Sequence, residues 1–328
     1  MANPFIPSHE AVWKNATLVS LNKNRLSFFA KEILGINAKE EDWHYQLYPG
    51  DDDPDLFIDF LGLDMAICFA TTDFDTKQRF AVNYKNKDGR PWAGTLANTA
   101  CIARALDEGI DMLNPKFLQE ITLKDMLHIF RTDLYPLPML KERMQIFREV
   151  GFVLEKKYQG SFHNLFRETS WRAFNKGKGI VERLMADFPS FYDASPYRLP
   201  SGEWSTVYFL KRAQLFPMIY HGRAMSVADW QKIEDIDEVG PICDYVFPGV
   251  FEHYGILEYA PILQDKIKKG ELIPRHSIAE IEMRSFGMLC QLKLCEMTGL
   301  KFFQIDPKIW YWGRDKPALR FLCPTTDY

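Results

Sequence analysis

Standard catalytic and ligand-binding signatures are missing from this chain. It has no GxGxxG, no GxxxxGK[ST] and no GxSxG, so dinucleotide binding, P-loop chemistry and α/β-hydrolase chemistry have no foothold. Its seven histidines are scattered, with no HExxH and no His/Cys group at ligand spacing, so neither a metal nor another cofactor is expected. The six cysteines, Cys68, Cys101, Cys243, Cys290, Cys295 and Cys323, include no CxxC pair and read as reduced thiols. Positive charge is not in surplus either. With 40 basic and 44 acidic residues the net charge is −4, a poor footprint for gripping a phosphate backbone. Direct nucleic-acid binding is therefore not expected, while one small phosphorylated ligand remains compatible. No apolar run approaches membrane-spanning length, and Met1-Ala-Asn-Pro-Phe-Ile-Pro-Ser8 lacks a basic segment followed by an apolar one. The expectation is a cytoplasmic monomer with no membrane attachment.

What is present is helical periodicity and many rings. Aromatic residues make up 14% of the 328 positions, a surplus that suits a packed core and a pocket for planar groups. In the span 137–158, Leu140, Met144, Phe147, Val150, Leu154 and Tyr158 recur at three- and four-residue steps and predict one apolar helix face. Gly160 stops that helix, and Ser161 is placed to cap the next, over 162–168. Thr122 with Asp125, Ser226 with Asp229 and Ser277 with Glu280 each read as a capping box opening a helix. The last of these helices runs to Met297 before Gly299, and a further helix spans 95–108. Strand signal is local: Phe80, Val82 and Tyr84 alternate, Asn86–Gly89 turns, and 91–93 returns as a small hairpin. Asp51–Asp55 and Arg198–Glu203 read as surface loops. No linker or repeat interrupts the chain, so one globular domain over 1–328 is expected, mainly α with a minor sheet.

Five segments keep polar groups where a core has no use for them. Pro241-Ile-Cys-Asp-Tyr-Val-Phe-Pro248 sets Asp244 in an apolar and aromatic run, where a carboxylate is costly to desolvate without partners. The structural reading of Asp244 is a turn or helix cap, and from this segment alone it is favoured. Lys211-Arg-Ala-Gln214 offers a cation for a phosphate or a site carboxylate, against an ordinary solvated helix turn. Glu280-Ile-Glu-Met-Arg284 spaces Glu280 and Arg284 for pairing on a helix; Arg284, among apolar neighbours, calls for an acid inside the fold, with Asp244 a candidate. Asp306, Trp310 and Tyr311 fall near one face if 307–311 is helical, and an acid with rings can read a base by its edge and its face. The alternative there is an N-cap Asp followed by core aromatics. His44, in Asp42-Trp-His-Tyr-Gln46, can donate or titrate, although a lone His near rings is more often a core residue.

Taken in order, these segments resemble the queuosine salvage protein family, the queuosine 5′-phosphate N-glycosylases that release the 7-deazaguanine base queuine. The resemblance runs from about Trp43 to the C-terminus. It rests on Arg104–Ile110, Gly160–Asn164 with Arg167 and Glu168, Asp187–Phe191, Lys211–Gln214, Asp244-Tyr245 with Pro248, Lys269–Glu271, Glu280–Arg284, and Asp306 with Trp310. It implies a helical fold similar to the helix-hairpin-helix DNA glycosylases with a small antiparallel hairpin, and hydrolysis of an N-glycosidic bond in a modified nucleotide.

The resemblance puts the catalytic carboxylate at Asp244. It also reverses the structural reading of that residue. Substrate contacts are expected at His44, Phe69, Cys243, Lys211, Arg284, Asp306, Trp310 and Tyr311, with Asp306 accepting from ring and exocyclic N–H groups. Lys211 or Arg284 is expected to keep Asp244 ionised. Two departures from the family pattern bear on the base: Tyr311 stands where an acid usually follows the tryptophan, and Leu63–Phe69 keeps mainly Phe69. The alternatives are a paralogue acting on another purine or 7-deazapurine nucleotide, or a base-binding protein without catalysis.

Overall fold

A computed structural model describes residues 3–37, 45–49, 52–86, 89–313 and 320–328. The described chain runs α1 (Glu10–Asn15), β1 (Val19–Leu21), α2 (Lys23–Leu34), α3 (Pro54–Ala66), β2 (Ala81–Val82), β3 (Trp92–Ala93) and α4 (Thr95–Asp107). It continues through α5 (Pro115–Glu120), α6 (Leu123–Ile129), α7 (Leu140–Lys157), α8 (Phe162–Glu168), α9 (Ile180–Asp187), β4 (Ala194–Arg198) and β5 (Trp204–Tyr208). The last elements are α10 (Lys211–Ser226), α11 (Val246–His253), β6 (Leu257–Tyr259), α12 (Pro261–Lys268), α13 (Ile278–Thr298) and α14 (Phe302–Gly313). The fold is mainly α, and its strands form three two-stranded antiparallel pairs, β1–β6, β2–β3 and β4–β5.

By internal packing the chain sorts into two compact units. One comprises Met1–Trp43, Asp193–Gly222 and Asp235–Pro324; the other comprises His44–Tyr192, Arg223–Glu234 and Thr325–Tyr328. Each is assembled from separated segments, so no linker or composition break marks them in the sequence.

In the first unit α13 is the central element, packing against α1, α2, α11, α14, β1 and β4. Ser277 caps its start by accepting from the Glu280 N–H, and Gly299 closes it at φ 75°. It is buried on most sides, from Ile281 through Leu294, which is why no narrow apolar stripe identifies it. Its polar residues are spent on the fold. Both oxygens of Glu282 accept backbone N–H groups of Thr17, Leu18 and Val19, fixing the entry to β1.

In the second unit α7 packs against α3, α5 and α6, burying Phe147, Val150, Leu154 and, just beyond its end, Tyr158 as the periodicity predicts. The 95–108 helix and the small β2–β3 hairpin also appear where expected. Thr122 and Asp125 form a reciprocal capping box.

Pro54 and Asp55, expected in a surface loop, instead open α3 with Asp53 as its cap, and three other local expectations fail. Ser226 ends α10 instead of opening a helix, because its hydroxyl donates back to the Arg223 carbonyl and Asp229 turns at φ 69°. Ser161 precedes α8 without capping it through its side chain. Arg198–Glu203 is more than a loop: Arg198 ends β4, and the segment turns the chain into β5.

Candidate active site

Asp244 ends a loop whose path is set by buried side chains. Gly240 lies at φ 94°, and a Cβ there would come within 2.7 Å of Phe302 Cβ, so only glycine passes the start of α14. Its N–H donates to Gln214 Oε1 at 2.9 Å, and its carbonyl accepts from Asn3 Nδ2 at 2.7 Å. Next along the loop, the Ile242 carbonyl accepts from Gln291 Nε2 at 2.6 Å and the Cys243 carbonyl from Arg284 Nε at 3.2 Å. Gly287 lets the loop lie directly on α13, since a Cβ there would be 2.5 Å from Cys243 Sγ. A loop with this many carbonyls tied to buried donors has little freedom left.

Asp244 itself is half-buried. Its Oδ1 accepts the Val246 N–H at 2.7 Å, where α11 begins. The turn-or-cap reading is thus correct for one oxygen. The other accepts no hydrogen bond among the described residues. A carboxylate held at a fixed helix entrance with one oxygen to spare is suited to act on something beyond the fold.

Asp306 has a different setting. It lies inside α14, not at its start, so the N-cap alternative is excluded. It is 3% exposed, and among the described residues nothing donates a hydrogen bond to its carboxyl. Burial, with Asp244 nearby and Lys211 opposing, pushes its acid up to about 8. With its acid raised that far, the Asp306 carboxyl can donate at neutral pH as well as accept. Trp310 follows one turn later on the same face, half-buried, and meets Tyr311 edge-on with ring centroids 5.0 Å apart.

Lys211 and Arg284 are both deeper than expected. Lys211 opens α10 at 5% exposure, so the solvated-turn reading fails; Arg212 and Gln214 are buried beside it. Its backbone N–H donates to Asp193 Oδ2 at 3.0 Å, and its charge acts on Asp306. Arg284 does find an acid inside the fold, but not Asp244. Its guanidinium takes Asp193 at 2.9 and 2.6 Å and Glu280 at 3.1 Å, and stacks 3.9 Å over the Phe209 ring. It is 0% exposed, so its link to Asp244 runs through the Cys243 carbonyl. These partners all lie within the fold, which makes Arg284 a residue that positions the loop before Asp244.

Cys243 is likewise sealed. Burial pushes its thiol well above the usual range, and its side chain packs on α13. Phe69 belongs to the second unit, buried there with the Arg143 guanidinium 4.0 Å over its ring. His44 lies outside the described residues. The sequence reading missed Asp193, Asn3 and Gln291. None stands in a recognisable motif, and each acts on a partner dozens to hundreds of positions away.

Known proteins match this chain over most of its length. The pattern of the family described as "Queuosine salvage protein" matches residues 52–302. A protein from Sphaerobacter thermophilus named queuosine 5′-phosphate N-glycosylase/hydrolase is 30% identical over 312 residues, covering 94% of this chain and 91% of its own. Proteins of the same name from Bos taurus and Schizosaccharomyces pombe are each 29% identical, covering 69% and 74% of this chain and 68% of their own lengths. With a family match spanning three quarters of its residues and the carboxylates of 244 and 306 gathered in one unit, this chain belongs to the queuosine salvage protein family.

Proposed function

We propose that this protein hydrolyses the N-glycosidic bond of queuosine 5′-monophosphate, releasing queuine for reuse in tRNA modification. The observation that carries the reading is Asp244: a half-buried carboxylate, fixed by its loop, with one oxygen uncommitted. Breaking a ribosyl C–N bond builds positive charge on the sugar, and a preorganised carboxylate stabilises that charge without having to reorganise. The same oxygen is suited to take a proton from the attacking water. Trp310 supplies a ring for the base to stack on and Asp306 a group for its edge. Lys211, at the start of α10, supplies positive charge to the same site.

The reaction is proposed for a monomeric, cytoplasmic enzyme that uses no cofactor, binds no nucleic acid directly, and has a helix-hairpin-helix-like arrangement. Pure protein incubated with queuosine 5′-monophosphate should release free base, followed by chromatography. An Asp244→Asn variant as fast as the wild type would remove Asp244 from the chemistry.

One observation favours a second reading. Tyr311 places a phenol beside Trp310 where an acid is usual in the family, so the preferred base can differ from queuine while the reaction stays the same. A panel of purine and 7-deazapurine nucleotides separates the two.

A further inference from the structure

The reading above leaves one chemical demand unmet. The bond to be broken joins C1′ to a ring nitrogen of a 7-deazapurine. A purine base can accept a proton at N7 and leave without negative charge, but a 7-deazapurine has carbon there. The leaving base therefore needs a proton from an acid that still holds one at neutral pH. The inference rests on the proposed reaction.

Of the groups at the site, most are unsuited to supply that proton. Cys243 is sealed against α13. Asp244 is spent on the sugar and the water. Charged and titratable groups on the elements around α14 are turned to other partners: Arg284 to Asp193 and Glu280, Glu282 to the backbone of Thr17–Val19, and Glu252 to Gln264. Likewise Lys301 pairs with Asp237, Lys308 donates to the Ile36 carbonyl, and His221 meets the Phe303 ring. The charges that act on Asp306 are those of Asp244 and Lys211.

Asp306 has the required features. Its carboxyl is buried, no protein donor occupies it, and it stands one turn before Trp310 beside a second carboxylate. Two carboxyl groups sharing a low-dielectric site divide the roles of acid and base, as in other hydrolases of sugar bonds. We propose that Asp306 is a further catalytic residue, the general acid that gives its carboxyl proton to the departing base while Asp244 serves the sugar and the water.

The step balances. The C1′–N bond breaks with its electron pair going to the ring nitrogen of the base, and the Asp306 proton ends on that nitrogen. The water oxygen bonds to C1′, and Asp244 takes one of its protons. Asp306 is left as the anion and Asp244 as the acid, and one proton passing from Asp244 to Asp306 restores the starting state. Overall, nucleotide and water become free base and ribose 5-phosphate.

The test is a single-turnover pH profile on queuosine 5′-monophosphate for the wild type, Asp306→Asn and Asp306→Glu, with free-queuine affinity measured by calorimetry. Because burial pushes Asp306 up to about 8, the wild-type rate should fall tenfold per pH unit above about that value. Asp306→Asn should be slower by ~10²–10⁴-fold at pH 7, lack the alkaline limb, and bind queuine within a few-fold of the wild type. Asp306→Glu keeps an acid and should keep the limb at a reduced rate, which preserves the test should the amide variant fail to fold. An unchanged limb in Asp306→Asn, or a rate loss matched by an equal loss of queuine affinity, overturns the acid role. Either result leaves the hydrolase reading intact, whereas a wild type that releases no base overturns both.

Discussion

Arg284 and Asp193 form a two-pronged pair, with Nη1–Oδ1 at 2.9 Å and Nη2–Oδ2 at 2.6 Å and both side chains buried. The pair ties together two parts of the site. Asp193 Oδ2 also accepts the Lys211 N–H at the start of α10, and Arg284 Nε holds the carbonyl just before Asp244. One guanidinium thus fixes both the loop that carries Asp244 and the start of the helix that carries Lys211. Removing one member of a buried ion pair strands the other without compensation. Asp193→Ala is therefore expected to lower the unfolding free energy by ~3–5 kcal/mol in a denaturant titration. A loss below ~1 kcal/mol would mean that Glu280 alone satisfies the arginine, and the tie would not be structural.

At Asp244 the proposed catalytic role can be tested apart from the role in folding. Asn at this position keeps an Oδ1 acceptor for the Val246 N–H, so Asp244→Asn should melt with the wild type while base release falls at least ~10²-fold. Asp244→Ala loses that bond as well and should cost a further ~1 kcal/mol of stability. Equal melting losses in the two variants would show that the carboxylate charge, not the helix-start hydrogen bond, supports the fold.

The legible parts of this molecule are those set by short-range chemistry. The periodicity of α7, the Thr122–Asp125 box and the Gly299 stop all depend on residues a few positions apart, and all three appear. Asp306 with Trp310 was legible for the same reason, as an i, i+4 pair on one helix. What could not be read depends on distant partners. Asp193 lies 91 positions from Arg284, and Glu282 reaches 265 positions back to Thr17. β1 pairs with β6 across most of the first unit, which no local alternation foretells. Arg284 illustrates the limit: its i, i+4 partner Glu280 was readable, but Asp193, 91 positions away, was not.

Tyr311 tests base choice. Its phenol lies edge-on to Trp310 and is half-buried. Tyr311→Asp restores an acceptor-only group at that position. The expected outcome is a shift in relative kcat/KM among purine and 7-deazapurine nucleotides of 10-fold or more, about the effect of ~1.4 kcal/mol. Relative rates that stay within twofold across the panel would place Tyr311 outside base recognition.

Two buried groups give the stability curve opposite slopes, and the sign of each follows from its shift. His9 Nε2 donates to the Tyr208 carbonyl at 2.8 Å, and Nδ1 lies 2.9 Å from Ser285 Oγ, which donates to it when the ring is neutral. Burial lowers its pKa to about 4, from near 6.5 when unfolded. Between those values the unfolded chain binds more protons, so this part of the stability is lost as pH falls from about 6.5 toward 4. Asp306 works the other way. Its acid sits at about 8 when folded against 3.8 as the ordinary value, so the folded chain holds the extra proton. Stability from this group is lost as pH rises across that range and levels off above about 8. Above pH ~6.5 the Asp306 slope stands alone of the two. Asp306→Asn should therefore gain on the wild type as pH rises, by at most ~1.4 kcal/mol per pH unit, with the difference constant beyond about 8. Denaturant unfolding at pH 6, 7, 8 and 9 measures it, and parallel curves for the two proteins would show that the Asp306 carboxyl ionises as freely in the folded chain as in water.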